Sequence, residues 1–123
     1  MTTGIIVFAH GSRVEPANEA VRIIARQLAR AGQFEIVETA FLELGEPNLE
    51  RAVEALAARG VHDILVVPYF LTLGIHLERD LPNIINQIAA RIGHVKIRTA
   101  APLDGHPALV EALLDRIKAA TVT

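Results

Sequence analysis

Two runs, Gly4-Ile5-Ile6-Val7-Phe8-Ala9 and Ile64-Leu65-Val66-Val67-Pro68-Tyr69-Phe70-Leu71, carry no charged side chain and no alternation of polar with apolar residues. A strand of this kind has no face suited to water, and it is hidden on both sides when it lies inside a parallel sheet covered by helices. Two other β-rich runs, near 35–42 and 94–100, interleave Glu38, Thr39, Lys96 and Arg98 with apolar residues. They read as edge strands of the same sheet.

Apolar stripes at helical spacing separate and follow these runs: Ala17, Val21, Ile24, Ala25, Leu28; Leu49, Ala52, Val53, Leu56; Leu81, Ile84, Ile85, Ile88, Ile92; and Leu109, Val110, Leu113, Leu114, Ile117. Pro16, Pro47 and Pro107 stand at or near three helix starts, and Pro82 is expected to serve the third helix in the same way, since a first-turn proline lacks only an N–H the helix does not use. Gly32 and Gly60 are placed to end the first two helices. The chain thus reads as four β-α units forming a single α/β domain over residues 1–123. With the fully apolar strands in the centre and short connections, the four-stranded parallel sheet has the order 2-1-3-4, with helices on both faces. Right-handed crossovers set the first helix on one face and the second and third on the other, with the fourth returning beside the first. Winding reverses between the first and third strands, so a ligand crevice is expected at their carboxyl ends. A G-x-P-x-L-x-x-A pattern at 45–52 and again at 105–112 reuses the same turn and helix-start chemistry.

Hydrophobic residues make up 51% of the chain, yet no apolar stretch approaches the roughly 18 residues of a membrane span. The excess is expected in a doubly covered core or an interface between subunits. Met1-Thr2-Thr3 offers no basic leader, and a cytoplasmic location is expected. The absence of cysteine excludes disulfides, thiolate metal sites and cysteine nucleophiles, leaving His, Asp, Glu and backbone oxygen as metal donors. A net charge of -2 without a basic block argues against nucleic acid as a partner.

The topology gives each of the five histidines an address. His62 and His94 precede the third and fourth strands, at the edge away from the crevice, and read as solvated loop residues. His106, directly before Pro107, suits a helix cap. His10 ends the first strand, and His76 follows the third by a few residues, so both fall at the crevice. Two neutral imidazoles hold a borderline divalent ion such as cobalt, nickel, iron or zinc while leaving most of its coordination sphere open. Imidazole also accepts protons near neutral pH, and the sequence leaves both duties open. Glu43, and less directly Glu46, follow the second strand at the same edge and offer a carboxylate for metal or proton. Ser12 and Arg13, with the start of the first helix, are placed to meet an anion. The apolar segment 69–77, with Tyr69, Phe70, Leu71 and Gly74, suits a wall for a flat ligand or a subunit contact.

Ala9-His10-Gly11-Ser12-Arg13 after a buried first strand, with Val67-Pro68-Tyr69-Phe70-Leu71 running into Gly74-Ile75-His76 and then Asp80-Leu81-Pro82, resembles the class II tetrapyrrole chelatases, specifically the small sirohydrochlorin chelatases. The likeness runs from about Gly4 to the last helix. It implies insertion of cobalt or ferrous iron into sirohydrochlorin without ATP, in cobalamin or siroheme biosynthesis. The residues matching His10 and His76 would bind the metal and help remove pyrrole protons, with Glu43 as an acidic partner placed by topology. It also implies one lobe of a two-lobed cleft and hence a homodimer. The metal, cobalt, iron or nickel, is a substrate, and no permanently bound cofactor is implied.

Two other functions share part of this pattern. A metal or tetrapyrrole carrier would need every feature above except turnover. A histidine-type phosphatase also carries His-Gly after its first strand, but it expects arginine where Ala9 stands. A phosphate-binding P-loop is absent from the sequence.

Overall fold

A computed structural model describes residues 2–121. The elements run β1 (Thr3–Ala9), α1 (Glu15–Gly32), β2 (Ile36–Phe41), α2 (Leu49–Ala58), β3 (Asp63–Pro68), α3 (Ile75–Ile92), β4 (Lys96–Thr99) and α4 (Pro107–Thr121). All pairings are parallel and the strand order is β2-β1-β3-β4, as the distribution of charge among the strands predicted.

Register divides the sheet into two unlike faces. Gly4, Ile6 and Phe8 align with Ile36, Glu38 and Ala40 on one side and with Ile64, Val66 and Pro68 on the other. On this face, Ile6, Phe8, Ala40, Ile64 and Val66 pack with Leu49, Val53 and Leu56 of α2 and Leu81, Ile85 and Ile88 of α3 into one buried cluster. Each such fully buried aliphatic or aromatic side chain contributes about 1.5–3 kcal/mol. The opposite face carries Ile5, Val7 and Ala9 under α1, with Leu65 and Val67 of β3 beside them. There β3 is only half covered, its burial alternating strictly from Asp63 to Pro68. The expectation that β3 is hidden on both sides therefore holds for one side only.

The cause lies in α4. Its return beside α1 is not observed: α4 buries none of its residues, and its apolar stripe stays exposed. Pro82 also departs from expectation, since it sits inside α3, which begins upstream at Ile75. An interior proline removes one helical hydrogen bond and crowds the preceding turn. The helix continues through it because Pro82 faces solvent while Leu77, Leu81 and Ile85 hold both sides of it to the core. At the end of α1 it is Gln33, φ 55°, and not Gly32 that takes the left-handed capping conformation. Gly60, φ +85°, follows α2 as predicted.

Candidate functional site

Pairing between β1 and β2 continues beyond the regular ladder. The Leu42 amide donates to the Ala9 carbonyl at 2.9 Å and the Glu43 amide to the His10 carbonyl at 3.0 Å. His10 and Glu43 thus leave neighbouring strand ends together, and His10 Nε2 lies 3.6 Å from Glu43 Oε1 with both side chains more than half exposed. His10 Nδ1 is 3.2 Å from the Gly11 carbonyl. In the neutral tautomer that donates this bond, the Nε2 lone pair is free beside the carboxylate. A ring anchored at one nitrogen by a carbonyl and open at the other is the usual arrangement of a metal-ligating histidine.

Two features hold this pair in place. Gly11 has φ +95°, and a Cβ there would lie 1.7 Å from the Glu43 carbonyl oxygen, so only glycine lets the two loops approach. Asn18, 2% exposed in the first turns of α1, joins them directly. Its Oδ1 accepts from the Ser12 amide at 2.9 Å, while its Nδ2 donates to the Ser12 carbonyl at 2.9 Å and to the Leu44 carbonyl at 3.1 Å. The sequence reasoning missed Asn18. Its signal was its place on the inward stripe, three and seven residues before Val21 and Ala25, where a polar side chain is retained when it satisfies buried backbone groups.

Ser12 Oγ accepts from the Val14 amide at 3.0 Å and so helps turn the chain into α1. Arg13 is exposed at the same helix start and makes no hydrogen bond or ion pair among the described residues. Phe70 stands edge-on to His10, ring centroids 6.4 Å apart, and edge-on to Phe8 at 5.9 Å. Tyr69, Phe70 and Leu71 join Leu103 around a concavity of about 280 Å³. A second, of about 310 Å³, has Phe8, Phe41 and Leu42 among its walls and the Glu50–Arg91 ion pair at its edge. The first lies just below, and the second just inside, the roughly 300–1,000 Å³ range of ligand pockets.

His76 occupies the first turn of α3, not a loop, next to Gly74, whose φ of +83° starts the helix. It is exposed, and its Nδ1 lies 3.4 Å from Arg79 Nη2. Because guanidinium only donates, that nitrogen is the acceptor. His10 and Glu43 are therefore brought together as a pair, and no group of three or more metal-capable side chains forms among the described residues. His106 caps α4, its Nδ1 accepting from the Ala108 amide at 3.0 Å.

One acid at the rim has a shifted affinity for protons. Hydrogen bonds from Thr72 and from the Leu73 amide, the latter 3.1 Å, hold the Asp104 carboxyl below its ordinary value of 3.8. A depressed folded value means that this link stabilises the loop above the ordinary value and is lost as pH falls through the lowered one. In an NMR titration the Asp104 carboxyl should have a midpoint below 3.8, and the Leu73 amide should follow it. A midpoint at or above that value would contradict the link.

The family model described as CbiX matches residues 4–120. A sirohydrochlorin cobaltochelatase of Methanopyrus kandleri is 32% identical over 136 residues, covering 94% of this chain and 95% of that protein. A sirohydrochlorin ferrochelatase of Bacillus subtilis is 31% identical over 118 residues, which are 96% of this chain and 45% of that protein, so the chain spans about half of this longer relative. Among solved structures, a CbiX protein of Marinobacter aquaeolei VT8, whose description connects it to cobalamin (vitamin B12) biosynthesis, superposes with a TM-score of 0.83 at 35% identity and covers 94% of each chain.

Proposed function

Because the chain belongs to the CbiX family, we propose that it is a sirohydrochlorin chelatase, a lyase-type enzyme that inserts a divalent metal into the macrocycle without ATP. The observation that carries this reading is the His10–Glu43 pair at the carboxyl ends of β1 and β2, with the imidazole Nε2 3.6 Å from the carboxylate and an aromatic ring alongside. The names of the similar proteins, cobaltochelatase in one case and ferrochelatase in another, supply the substrate. Cobalt is the metal we favour, with ferrous iron next; imidazole donors also accept nickel.

The reaction exchanges one divalent ion for two pyrrole N–H protons. His10 Nε2 and Glu43 take the incoming ion in place of part of its water, and His76, in the first turn of α3, serves as a second imidazole. As the ring nitrogens displace these ligands, the imidazoles and the carboxylate accept the two released protons. Few ligands are an advantage, since a closed four-donor site would retain the metal. Tyr69, Phe70 and Leu71 grip the flat apolar part of the ring, with Gly74 leaving room at the start of α3. Ser12, Arg13 and the α1 N-terminus meet peripheral carboxylates. Concavities of about 280 and 310 Å³ are small for a whole macrocycle, and we take the working form to be a homodimer in the cytoplasm, with no nucleic acid or membrane partner.

Turnover separates a chelatase from a carrier. Purified protein mixed anaerobically with sirohydrochlorin and cobalt or ferrous ion should speed the absorption change of metal insertion well beyond the spontaneous rate. Binding without acceleration would assign the protein as a carrier instead. Initial rates with each ion, corrected for that background, identify the preferred metal.

A further inference from the structure

Arg79 bridges two side chains of α3 that matter to an entering metal ion in opposite ways. Its Nη2 lies 3.4 Å from His76 Nδ1, and its Nε donates to Asp80 Oδ1 at 3.2 Å, with all three residues exposed. A guanidinium offers no lone pair, so Nδ1 is the accepting nitrogen of His76, and in the neutral ring the proton sits on Nε2. Both nitrogens are then occupied, one by Arg79 and the other by its own hydrogen. A metal-ligating histidine ordinarily donates its second ring N–H to a carbonyl or a carboxylate. His10 has such a neighbour, the Gly11 carbonyl 3.2 Å from Nδ1. His76 has a donor in that place.

The acceptor that His76 lacks is one helical turn away. Asp80 follows it by four residues, a spacing that sets two side chains beside each other on a helix. Its carboxylate is taken up by Arg79, and no hydrogen bond or ion pair joins it to His76 among the described residues. With Arg79 turned away, Asp80 is left to accept from Nδ1–H, which puts the lone pair on Nε2. The proton passes from Nε2 to Nδ1 through solvent water, with no change in net charge. An ionised carboxylate is the group that can draw Arg79 off, because a charge-assisted, bidentate bond to guanidinium is roughly twice as strong as one to a neutral acceptor. Asp80 and His76 use one N–H each, so most of the donor fork stays open to such a ligand.

We propose that Arg79 is a positioning residue which a peripheral carboxylate of the macrocycle pulls from His76, so that His76 becomes a metal ligand only once the macrocycle is seated. The resulting order of events rests on the chelatase reading above and adds to it. Before the macrocycle arrives, an ion meets His10 and Glu43 alone and is free to leave. It gains the second imidazole when the ring nitrogens that receive it are in place.

Proton–nitrogen correlation spectra of the full chain without metal should show His76 as the Nε2–H tautomer, and metal-free sirohydrochlorin should convert it to Nδ1–H. Asp80→Ala should lose that conversion. Arg79→Met removes every donor and should bind cobalt alone about fivefold more tightly, a gain that should vanish when His76→Ala is added. Metal-free sirohydrochlorin should bind Arg79→Met about fivefold more weakly, with part of the loss restored by Arg79→Lys. A His76 tautomer that stays the same when sirohydrochlorin binds overturns the proposal, and so does an Arg79→Met chain with the parent's affinity for cobalt. If the parent chain binds no sirohydrochlorin, the chelatase reading falls and this one with it. If the parent chain binds and metallates sirohydrochlorin and Arg79→Met matches it throughout, this proposal alone is overturned.

Discussion

Alanine at His10 or at His76 should lower the rate of metal insertion by about 10²-fold or more while leaving the protein folded. Both side chains are exposed, so their loss should change stability by no more than about 0.5 kcal/mol, read from thermal unfolding. The two variants should fail differently. His10 brings a free Nε2 beside Glu43, and its removal leaves a lone carboxylate as the receiving donor. Raising the cobalt concentration should recover part of that loss, whereas a residue acting only as a proton acceptor would be rescued by higher pH and not by metal. His76 lies against Arg79, whose guanidinium competes with a metal for Nδ1. Arg79→Gln should therefore raise metal affinity at His76 modestly. Glu43→Gln keeps the shape and removes the charge, and should cost less than His10→Ala. Wild-type initial rates in both histidine variants would remove these residues from the mechanism.

The sequence made the sheet legible because its information is local: two strands without a polar face and two with charged residues determine which are central and which are edges. His10 and Glu43 could be placed together for the same reason, since strand order alone puts the ends of β1 and β2 side by side. What remained hidden depends on contacts between distant segments. Pro82 looked like a helix start because proline so often is one; the packing of Leu77 and Leu81 on the core extends α3 past it. The stripe on α4 announced a buried helix, and periodicity cannot say whether the surface that buries it belongs to the same chain. Asn18 was passed over because a polar residue at one position of a stripe looks like an interruption, and its partners at Ser12 and Leu44 are set by tertiary structure.

Asn18→Ala should destabilise the protein by about 2–4 kcal/mol and lower insertion by about 10²-fold although Asn18 touches no reacting atom. The stability loss arises because three backbone groups lose their partner: the Ser12 amide, the Ser12 carbonyl and the Leu44 carbonyl. The loss of rate has a separate origin. His10 is carried by the loop that Asn18 holds on one side and Glu43 by the loop it holds on the other, so without it the two loops keep only the strand-end bonds from Leu42 to Ala9 and from Glu43 to His10 and the close approach at Gly11. A displacement of about 1 Å is enough for such an effect. Asn18→Asp keeps the acceptor for Ser12 but loses the donations to Ser12, Leu44 and Glu15 and sets a second carboxylate beside Glu15, so it should not rescue either property at neutral pH. Gly11→Ala attacks the same junction from the backbone, forcing the Glu43 carbonyl away, and should reproduce the loss of rate. Measuring cobalt binding on fully folded samples at low temperature separates position from stability: if folded Asn18→Ala binds and inserts metal like the parent chain, the residue holds the fold alone, and the His10–Glu43 pair does not depend on the clamp.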